Sequence, residues 1–252
     1  MSFLDKVNDI HVHLGPSSII NQKLYADDLL DFRKNYNIDH IGLMTLDVDI
    51  NKNNLKIIEL SKTHNFIHGL FWIQKSRIQR DVEILHKEIG NGLVGVKFHG
   101  VFENLSINAD PYIPILEVLN EKKAVLLIHC GRYKDGHPDS NSSYVHGLDV
   151  AEKYPQIRVI LAHMGGNDTS VVKKAITASE NIPNVSFDTS GISTPYRVEY
   201  AVEKIGAERI LFGSDFPWCS FRGMYFGVED ALIGKKEKDL ILRKNFLKII
   251  EH

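Results

Sequence analysis

Short hydrophobic runs alternate with longer amphipathic segments along the whole chain. Residues 124–129 (AVLLIH) and 157–163 (IRVILAH) are almost continuously apolar before they end in histidine. Such runs are typical of strands that a parallel sheet buries on both faces. Runs of this kind predict eight strands, over residues 7–13, 39–46, 66–73, 93–99, 124–129, 157–163, 185–189 and 209–213.

The segments between these runs carry apolar residues at helical spacing. They predict helices over residues 24–36, 54–64, 78–89, 111–122, 144–154, 168–180 and 195–205, and helical sequence from 228 to the end with a break near Gly234. We expect Asn53 or Asn54 to cap the second helix. Eight strand–helix units with no Gly/Ser/Pro-rich linker predict a single (β/α)8 TIM barrel domain over residues 1–252.

Composition narrows the class of protein. With 30 Lys and Arg against 32 Asp and Glu, the formal net charge of −2 argues against binding to nucleic acid or to an anionic membrane surface. No apolar run reaches the length of a membrane span, and the N-terminus lacks the features of a signal peptide. Cys130 and Cys219 make no disulfide framework, so we expect a cytoplasmic protein. The unusual quantity is the 12 histidines.

Two of these histidines form a candidate metal pair near the N-terminus, in Asp9-Ile10-His11-Val12-His13. Residues two apart on a strand share a face, so His11 and His13 should lie side by side. Imidazole is the commonest metal-ligating side chain. Taken alone, a hydrogen-bonded histidine pair of structural origin explains the motif equally well.

Polar residues of the same chemical type follow the other predicted strands. The carboxyl ends of barrel strands converge on one face, where the active sites of such barrels lie. Histidine and carboxylate ligands with open positions suit a catalytic divalent cation. The residues at these ends are His11, His13, Lys97, His99, His129, His163 and Asp215.

This order of residues resembles the amidohydrolase superfamily. The flanking segments 95–99 (GVKFH), 128–131 (IHCG), 162–166 (AHMGG) and 213–217 (GSDFP) resemble the amidohydrolase-2 branch, and residues 245–249 resemble the helix with which this family closes its barrel. That branch contains metal-dependent hydrolases and non-oxidative decarboxylases of carboxylated substrates. The resemblance covers essentially the whole chain.

The resemblance implies a role for each of the matching positions. His11, His13, His129 and Asp215 match the metal ligands, and Asp215 also moves a proton. His163 matches a catalytic histidine that faces the metal-bound water in single-metal members. We expect one divalent ion, Zn²⁺ first and Mn²⁺ as the alternative.

Lys97 leaves an alternative open. By resemblance to two-metal relatives it would be carboxylated and bridge a second ion, whereas in a single-metal site it would stay a cation and pair with a substrate carboxylate. A structural salt bridge is the third interpretation. His99 shares the face of Lys97 and is either a substrate contact or a structural histidine.

The loops after the fifth and eighth strands supply further candidates for substrate binding. Arg132 lies in a segment that is long for a barrel loop, and its forked donors suit a carboxylate. Trp218 and Arg222, just past Asp215, are placed to line the pocket, and Trp72 either does the same or fills the core.

The resemblance also makes a homodimer an expectation. Three functions are compatible with the sequence, and the first two act on a small molecule. The first is a hydrolase in which a metal-activated water attacks an amide, lactone or ester carbonyl. The alternative is a non-oxidative decarboxylase of an aromatic or unsaturated acid. The third is a barrel without activity that serves as a binding protein. The chain is short for decarboxylases of this branch, which favours hydrolysis.

Overall fold

Eight parallel strands form one sheet in which every strand pairs with the next along the chain. The computed structural model describes residues 5–131, 140–191 and 193–251. Helices connect the strands, and the arrangement is a (β/α)8 TIM barrel, as the hydrophobic pattern predicts. The strands are β1 (Val7–Leu14), β2 (Ile38–Thr45), β3 (Ile67–Trp72), β4 (Leu93–Phe98), β5 (Val125–Ile128), β6 (Arg158–Leu161), β7 (Val185–Asp188) and β8 (Ile210–Leu211).

The barrel closes through backbone hydrogen bonds between β1 and the segment that follows β8. The amide of Ile10 donates to the carbonyl of Phe212 at 3.0 Å, and the amide of Asp215 donates to the carbonyl of His11 at 2.8 Å. The amide of His13 donates to the carbonyl of Phe216, also at 2.8 Å. This seam brings the first and last candidate ligands together.

Most helices lie between successive strands, close to where the pattern predicts them, and the last ones follow β8. They are α1 (Leu29–Asn35), α2 (Ile50–Thr63), α3 (Ile78–Glu88), α4 (Gly100–Glu103), α5 (Ile113–Glu121), α6 (Tyr144–Lys153), α7 (Thr169–Ala178), α8 (Pro195–Ile205), α9 (Phe221–Glu229), α10 (Lys235–Asp239) and α11 (Asn245–Ile250). None of the described helices is long and apolar enough to cross a membrane.

Three helix starts differ from the sequence prediction by four residues or more. The helix α1 begins at Leu29 rather than at residue 24. The helix α2 begins at Ile50, so the prediction of a cap at Asn53 or Asn54 is wrong; Asp49, with φ 54°, precedes its first turn instead. The helix α9 begins at Phe221 rather than near 228, and the hydroxyl of Ser220 caps it by accepting from the amide of Gly223. Two glycines inside α9 obscure its helical pattern in the sequence, because glycine is a poor helix former.

The apolar interior of the barrel separates the end that carries the candidate site from the opposite end of the barrel. A buried cluster fills the barrel, and Phe246 of α11 closes it from below. The side chain of Asn245 anchors α11 by donating to the carbonyls of Ala207 and Ile210, both at 2.7 Å. The interior cluster consists of Ile10, Met44, Leu70, Val94, Val125, Leu127, Ile160, Ala162, Leu211 and Phe246.

Candidate metal centre

Three candidate ligands meet at the carboxyl end of the barrel. The Nε2 atoms of His11 and His13 are 3.1 Å apart. The Oδ1 atom of Asp215 lies 3.0 Å from His13 Nε2 and 3.4 Å from His11 Nε2. Among the described residues, these three form the group of metal-ligating side chains whose atoms all lie within 4.8 Å of one another.

Hydrogen bonds on the far side of both rings fix which nitrogen carries the proton. His11 Nδ1 lies 2.8 Å from a carboxylate oxygen of Asp188, and His13 Nδ1 lies 2.8 Å from the carbonyl oxygen of Thr45. Both partners are acceptors, so each Nδ1 is the donor and each Nε2 keeps its lone pair. A histidine ligand commonly donates its second nitrogen in this way.

The charge state of the cluster fits a cation. Burial, reinforced by the Lys97 ammonium, lowers the pKa of His11 to about 4, so its imidazole is neutral. Burial would raise the pKa of Asp215, but the surrounding histidines hold that pKa well below its usual range. Two lone pairs and one carboxylate oxygen therefore face each other, an arrangement that a divalent ion stabilises.

The size of the triangle also fits a metal ion. Ligands at about 2.0–2.1 Å from zinc in a tetrahedron are about 3.3–3.4 Å apart, and an octahedron of the same radius has edges of about 2.9 Å. The three measured separations fall between 3.0 and 3.4 Å. The residues present thus fit one small divalent ion.

Backbone strain accompanies two of the functional side chains. Asp215 and His163 both have φ 57°, in the left-handed region that residues other than glycine rarely adopt. The sequence predicts that His163 is the last residue of a strand. The strand β6 ends at Leu161, however, and His163 lies on the turn that follows. Strain of this kind clusters at functional sites.

Asp9 connects β1 to the segment that follows β8, beneath the metal ligands. Its Oδ1 accepts from the amides of His11, at 3.0 Å, and Ser214, at 2.9 Å. Its Oδ2 is buried and has no hydrogen-bond partner among the described residues. Burial raises the pKa of Asp9 to about 7.

His129 and His163 form a second pair beside this group. His129 Nδ1 lies 3.0 Å from His163 Nε2. The Nε2 atom of His129 is buried and makes no hydrogen bond within the described part of the chain. Burial lowers the pKa of both histidines, so both are neutral. The structure places His129 next to the three-residue group, whereas the resemblance makes it a fourth ligand.

Lys97 is a buried cation that contacts one of the metal ligands, His11. Its side chain is only 1% exposed, and its Nζ lies 3.2 Å from His11 Nε2. Burial lowers the pKa of this ammonium to about 8, although the carboxylates of Asp215 and Asp188 act in the opposite direction.

A column of parallel rings forms one wall of the cavity above the ligands. His99 stacks on His129 at 3.9 Å between ring centroids and on Trp72 at 5.5 Å, with interplanar angles of 9° and 6°. The cavity measures about 180 Å³, and Trp218 and Cys219 line it as well. Its walls suit a small planar molecule.

The remaining sequence candidates have different positions. Trp218 lines the cavity. Arg222 lies on α9, is exposed, and is not among the residues that line the cavity. Arg132 lies outside the described residues, so its role stays a prediction.

Three residues at the site were missed by the sequence analysis. Asp188 ends β7, so the rule that identified the other strand ends applied to it as well. Ser190 lies two residues further on and contacts both Asp188 and His163. The thiol of Cys219 lies 3.8 Å from Asp215 Oδ2, within the range of a weak hydrogen bond, and no sequence pattern announces this contact.

Comparison with known proteins identifies the family and the fold. A model of the amidohydrolase family, amidohydrolase 2, matches residues 26–249. A comparison with curated proteins finds no match.

Solved structures resemble the chain over nearly its whole length. 2,6-Dihydroxybenzoate decarboxylase from Rhizobium has a TM-score of 0.76 at 17% identity, over 97% of this chain and 98% of its own. Dihydroxybenzoic acid decarboxylase from Polaromonas sp. JS666, with bound manganese and the inhibitor 2-nitroresorcinol, has 0.74 at 16% identity, over 98% and 97%. A Staphylococcus aureus structure named only as an amidohydrolase has 0.73 at 15% identity, over 98% and 99%. At these identities the likeness establishes the fold.

Proposed function

The chain belongs to the amidohydrolase family, and from that premise we propose that it is a metal-dependent, non-oxidative decarboxylase of a small planar acid, aromatic or unsaturated. The observation that carries the proposal is the Lys97 ammonium, buried 3.2 Å from a nitrogen of the three-residue metal group. A cation held there, under a wall of parallel rings, is a binding site for a planar carboxylate.

The comparisons support a decarboxylase in preference to the hydrolase that the length of the chain favours. Two of the three structures cited above are decarboxylases of dihydroxybenzoic acids. The similarity to the Rhizobium decarboxylase spans 98% of that chain. Length therefore does not separate this chain from the decarboxylases.

The roles of the residues follow from their positions. His11, His13 and Asp215 would hold the ion, with His129 as the fourth ligand that the resemblance implies. A divalent ion bound there supplies positive charge that polarises a substrate oxygen. Lys97 binds the carboxylate, and the rings of Trp72 and His99 orient the plane of the substrate.

The reaction breaks one carbon–carbon bond and makes one carbon–hydrogen bond. The carboxylate leaves as CO₂, and the electron pair of the broken bond stays on the substrate carbon. Asp215 passes a proton from solvent to that carbon. His163 lies beside His129 and orients its ring. Each turnover consumes one proton.

A hydrolase with two ions is the second candidate, and one observation favours it. His129 Nδ1 and His163 Nε2 converge to 3.0 Å, a second pair of donor atoms suited to a second ion. Because burial lowers the pKa of Lys97 to about 8, a fraction of this amine is neutral near pH 8 and is available for carboxylation. Asp215 would then take a proton from the attacking water.

Product analysis distinguishes the two reactions. Purified protein loaded with Mn²⁺ or Zn²⁺ is assayed with hydroxybenzoic acids, unsaturated acids, lactones and amides, while released CO₂ and proton balance are recorded. We expect CO₂ release, with uptake of one proton per turnover before the CO₂ hydrates, and about one equivalent of metal. A carboxylic acid formed from a lactone or an amide without release of CO₂, together with two equivalents of metal, would favour the hydrolase.

Replacement of Asp215 by Asn tests the proton-transfer role. We expect a folded variant with at least a 100-fold loss of turnover, since general acid–base catalysis contributes about 10²–10⁴-fold. Asp31→Asn, at an exposed position on α1, is the matched control. Full activity of Asp215→Asn would refute the assigned role.

A further inference from the structure

Asp188 lies at the centre of the hydrogen bonds behind the site. Its side chain is fully buried at the end of β7. Its Oδ2 accepts from His11 Nδ1 at 2.8 Å. Its Oδ1 accepts from the backbone amides of His163 and Ser190, both at 3.0 Å, and from the hydroxyl of Ser190. One carboxylate therefore contacts a metal ligand, the catalytic-histidine candidate and a serine.

Counting protons along these contacts assigns each donor. The Oδ1 atom of Asp188 accepts from two backbone amides and its Oδ2 atom faces His11 Nδ1, so this set of donors fits an ionised carboxylate whose oxygens both accept. The proton between Asp188 and His11 therefore sits on His11 Nδ1. Ser190 has a single hydroxyl proton, which it donates to Asp188.

The same count extends to His163. Because the hydroxyl proton of Ser190 is committed to Asp188, its oxygen can only accept, and His163 Nδ1 lies 2.9 Å from it. His163 Nδ1 is therefore protonated, and its Nε2, which faces His129, keeps its lone pair. Asp188 contacts His163 directly only at the His163 backbone amide. Ser190 therefore connects the Asp188 carboxylate to the His163 ring by hydrogen bonds.

Gly191 packs closely against the His163 ring and helps to keep it beside Ser190. A Cβ atom at Gly191 would lie 2.6 Å from His163 Nδ1, closer than real contacts allow, and Gly191 has φ 77°. A side chain there would displace the ring from Ser190.

We propose that Asp188 and Ser190 are positioning residues that fix the tautomers of His11 and His163, so that both rings direct an Nε2 lone pair to the site. This inference rests on the proposed metal centre for its purpose. The hydrogen bonds themselves do not depend on a bound ion.

The tautomers can be measured without activity or metal. Histidine-selective ¹⁵N labelling and a long-range ¹H–¹⁵N correlation spectrum of the metal-free protein report which nitrogen of each ring is protonated. We expect Nδ1–H for both rings in the wild type. In Ser190→Ala the His163 signal should move towards the Nε2–H form. His11 also loses a contact of 3.2 Å with the Ser190 hydroxyl but should keep its proton on Nδ1, because Asp188 Oδ2 still accepts from it at 2.8 Å. In Asp188→Asn both rings should change.

Metal affinity is the second readout, by competition between the protein and a chromophoric chelator for Zn²⁺. Loss of such supporting contacts typically weakens metal binding about 10–100-fold, so we expect a loss in this range for Asp188→Asn and a smaller loss for Ser190→Ala. Ser179→Ala is the matched control. Ser179 is also fully buried, but it directly follows α7 and its hydroxyl donates to the carbonyl of Ile176 in that helix.

The outcomes separate this inference from the proposed function. An Nε2–H form of His163 in the wild type, or spectra and affinity of Ser190→Ala that equal those of Ser179→Ala, would overturn it. If Asp188→Asn does not fold, Ser190→Ala decides alone. A wild type with the expected tautomers but no affinity for Zn²⁺ or Mn²⁺ would overturn the metal centre and leave the tautomer assignment standing.

Discussion

Lys97 should lower the stability of the fold while it serves the reaction. Its ammonium is buried beside His11, and burial lowers its pKa from 10.5 to about 8. A folded-state pKa below the unfolded value means that the folded protein binds this proton more weakly. At pH 7 the charged side chain therefore disfavours folding. Replacement by Met, which keeps an unbranched side chain of similar size, removes that charge.

The magnitude follows from the pKa difference. About 2.5 pKa units at about 1.4 kcal/mol each correspond to roughly 3 kcal/mol. This stabilisation of Lys97→Met should be fully present below pH 8, where Lys97 is protonated in both states. It should shrink as the pH rises from 8 and disappear near 10.5, because the lysine is then neutral in both states.

Urea unfolding of metal-free protein at pH 7 and at pH 10 measures this difference. We expect Lys97→Met to be about 1–3 kcal/mol more stable than the wild type at pH 7, close to it at pH 10, and at least 100-fold less active with metal. Lys52→Met, at an exposed position on α2, is the control and should change stability by less than about 0.5 kcal/mol. A Lys97→Met variant that is less stable at pH 7, or a difference independent of pH, would refute the reasoning.

Two further predictions concern the metal ligands and a second buried carboxyl. His13→Asn should lower the metal content measured by atomic emission from about one equivalent to less than 0.1, because it removes one of three converging donors; unchanged content would exclude His13 as a ligand. Burial raises the pKa of Asp81 from 3.8 to about 6, so this carboxyl disfavours folding increasingly from about pH 4 and fully above pH 6. Asp81→Asn should then be about 1–3 kcal/mol more stable than the wild type at pH 8 and equal to it near pH 4 in urea unfolding; a constant difference would contradict this.

The predicted barrel is confirmed because it depends on local patterns. Continuous apolar runs mark strands that are buried on both faces, and the residue after such a run must lie at the carboxyl end of the barrel. His11 and His13 share a face because side chains alternate along β1. His99 and His129, which directly follow β4 and β5, line the cavity at that end.

Details that depend on turns were less accessible to the sequence. His163 follows β6 on a turn with positive φ, and no apolar pattern reports such a backbone angle. The helix α9 begins seven residues before the predicted start because its glycines and aromatic residues hide the helical spacing. As a result, the sequence analysis places Arg222 near the pocket, whereas the helix directs it to the surface.

By itself the sequence determined the fold class and the family, and it named the histidines and the aspartate that could hold a metal, because strand periodicity and short motifs are local properties. Only the tertiary structure decided which of these atoms meet. The closing seam between β1 and the segment after β8 brings Asp215 to His11 and His13, and β7 places Asp188 behind His11. Ring tautomers and the pKa of Lys97 depend on partners far away in the chain, which only packing brings into contact.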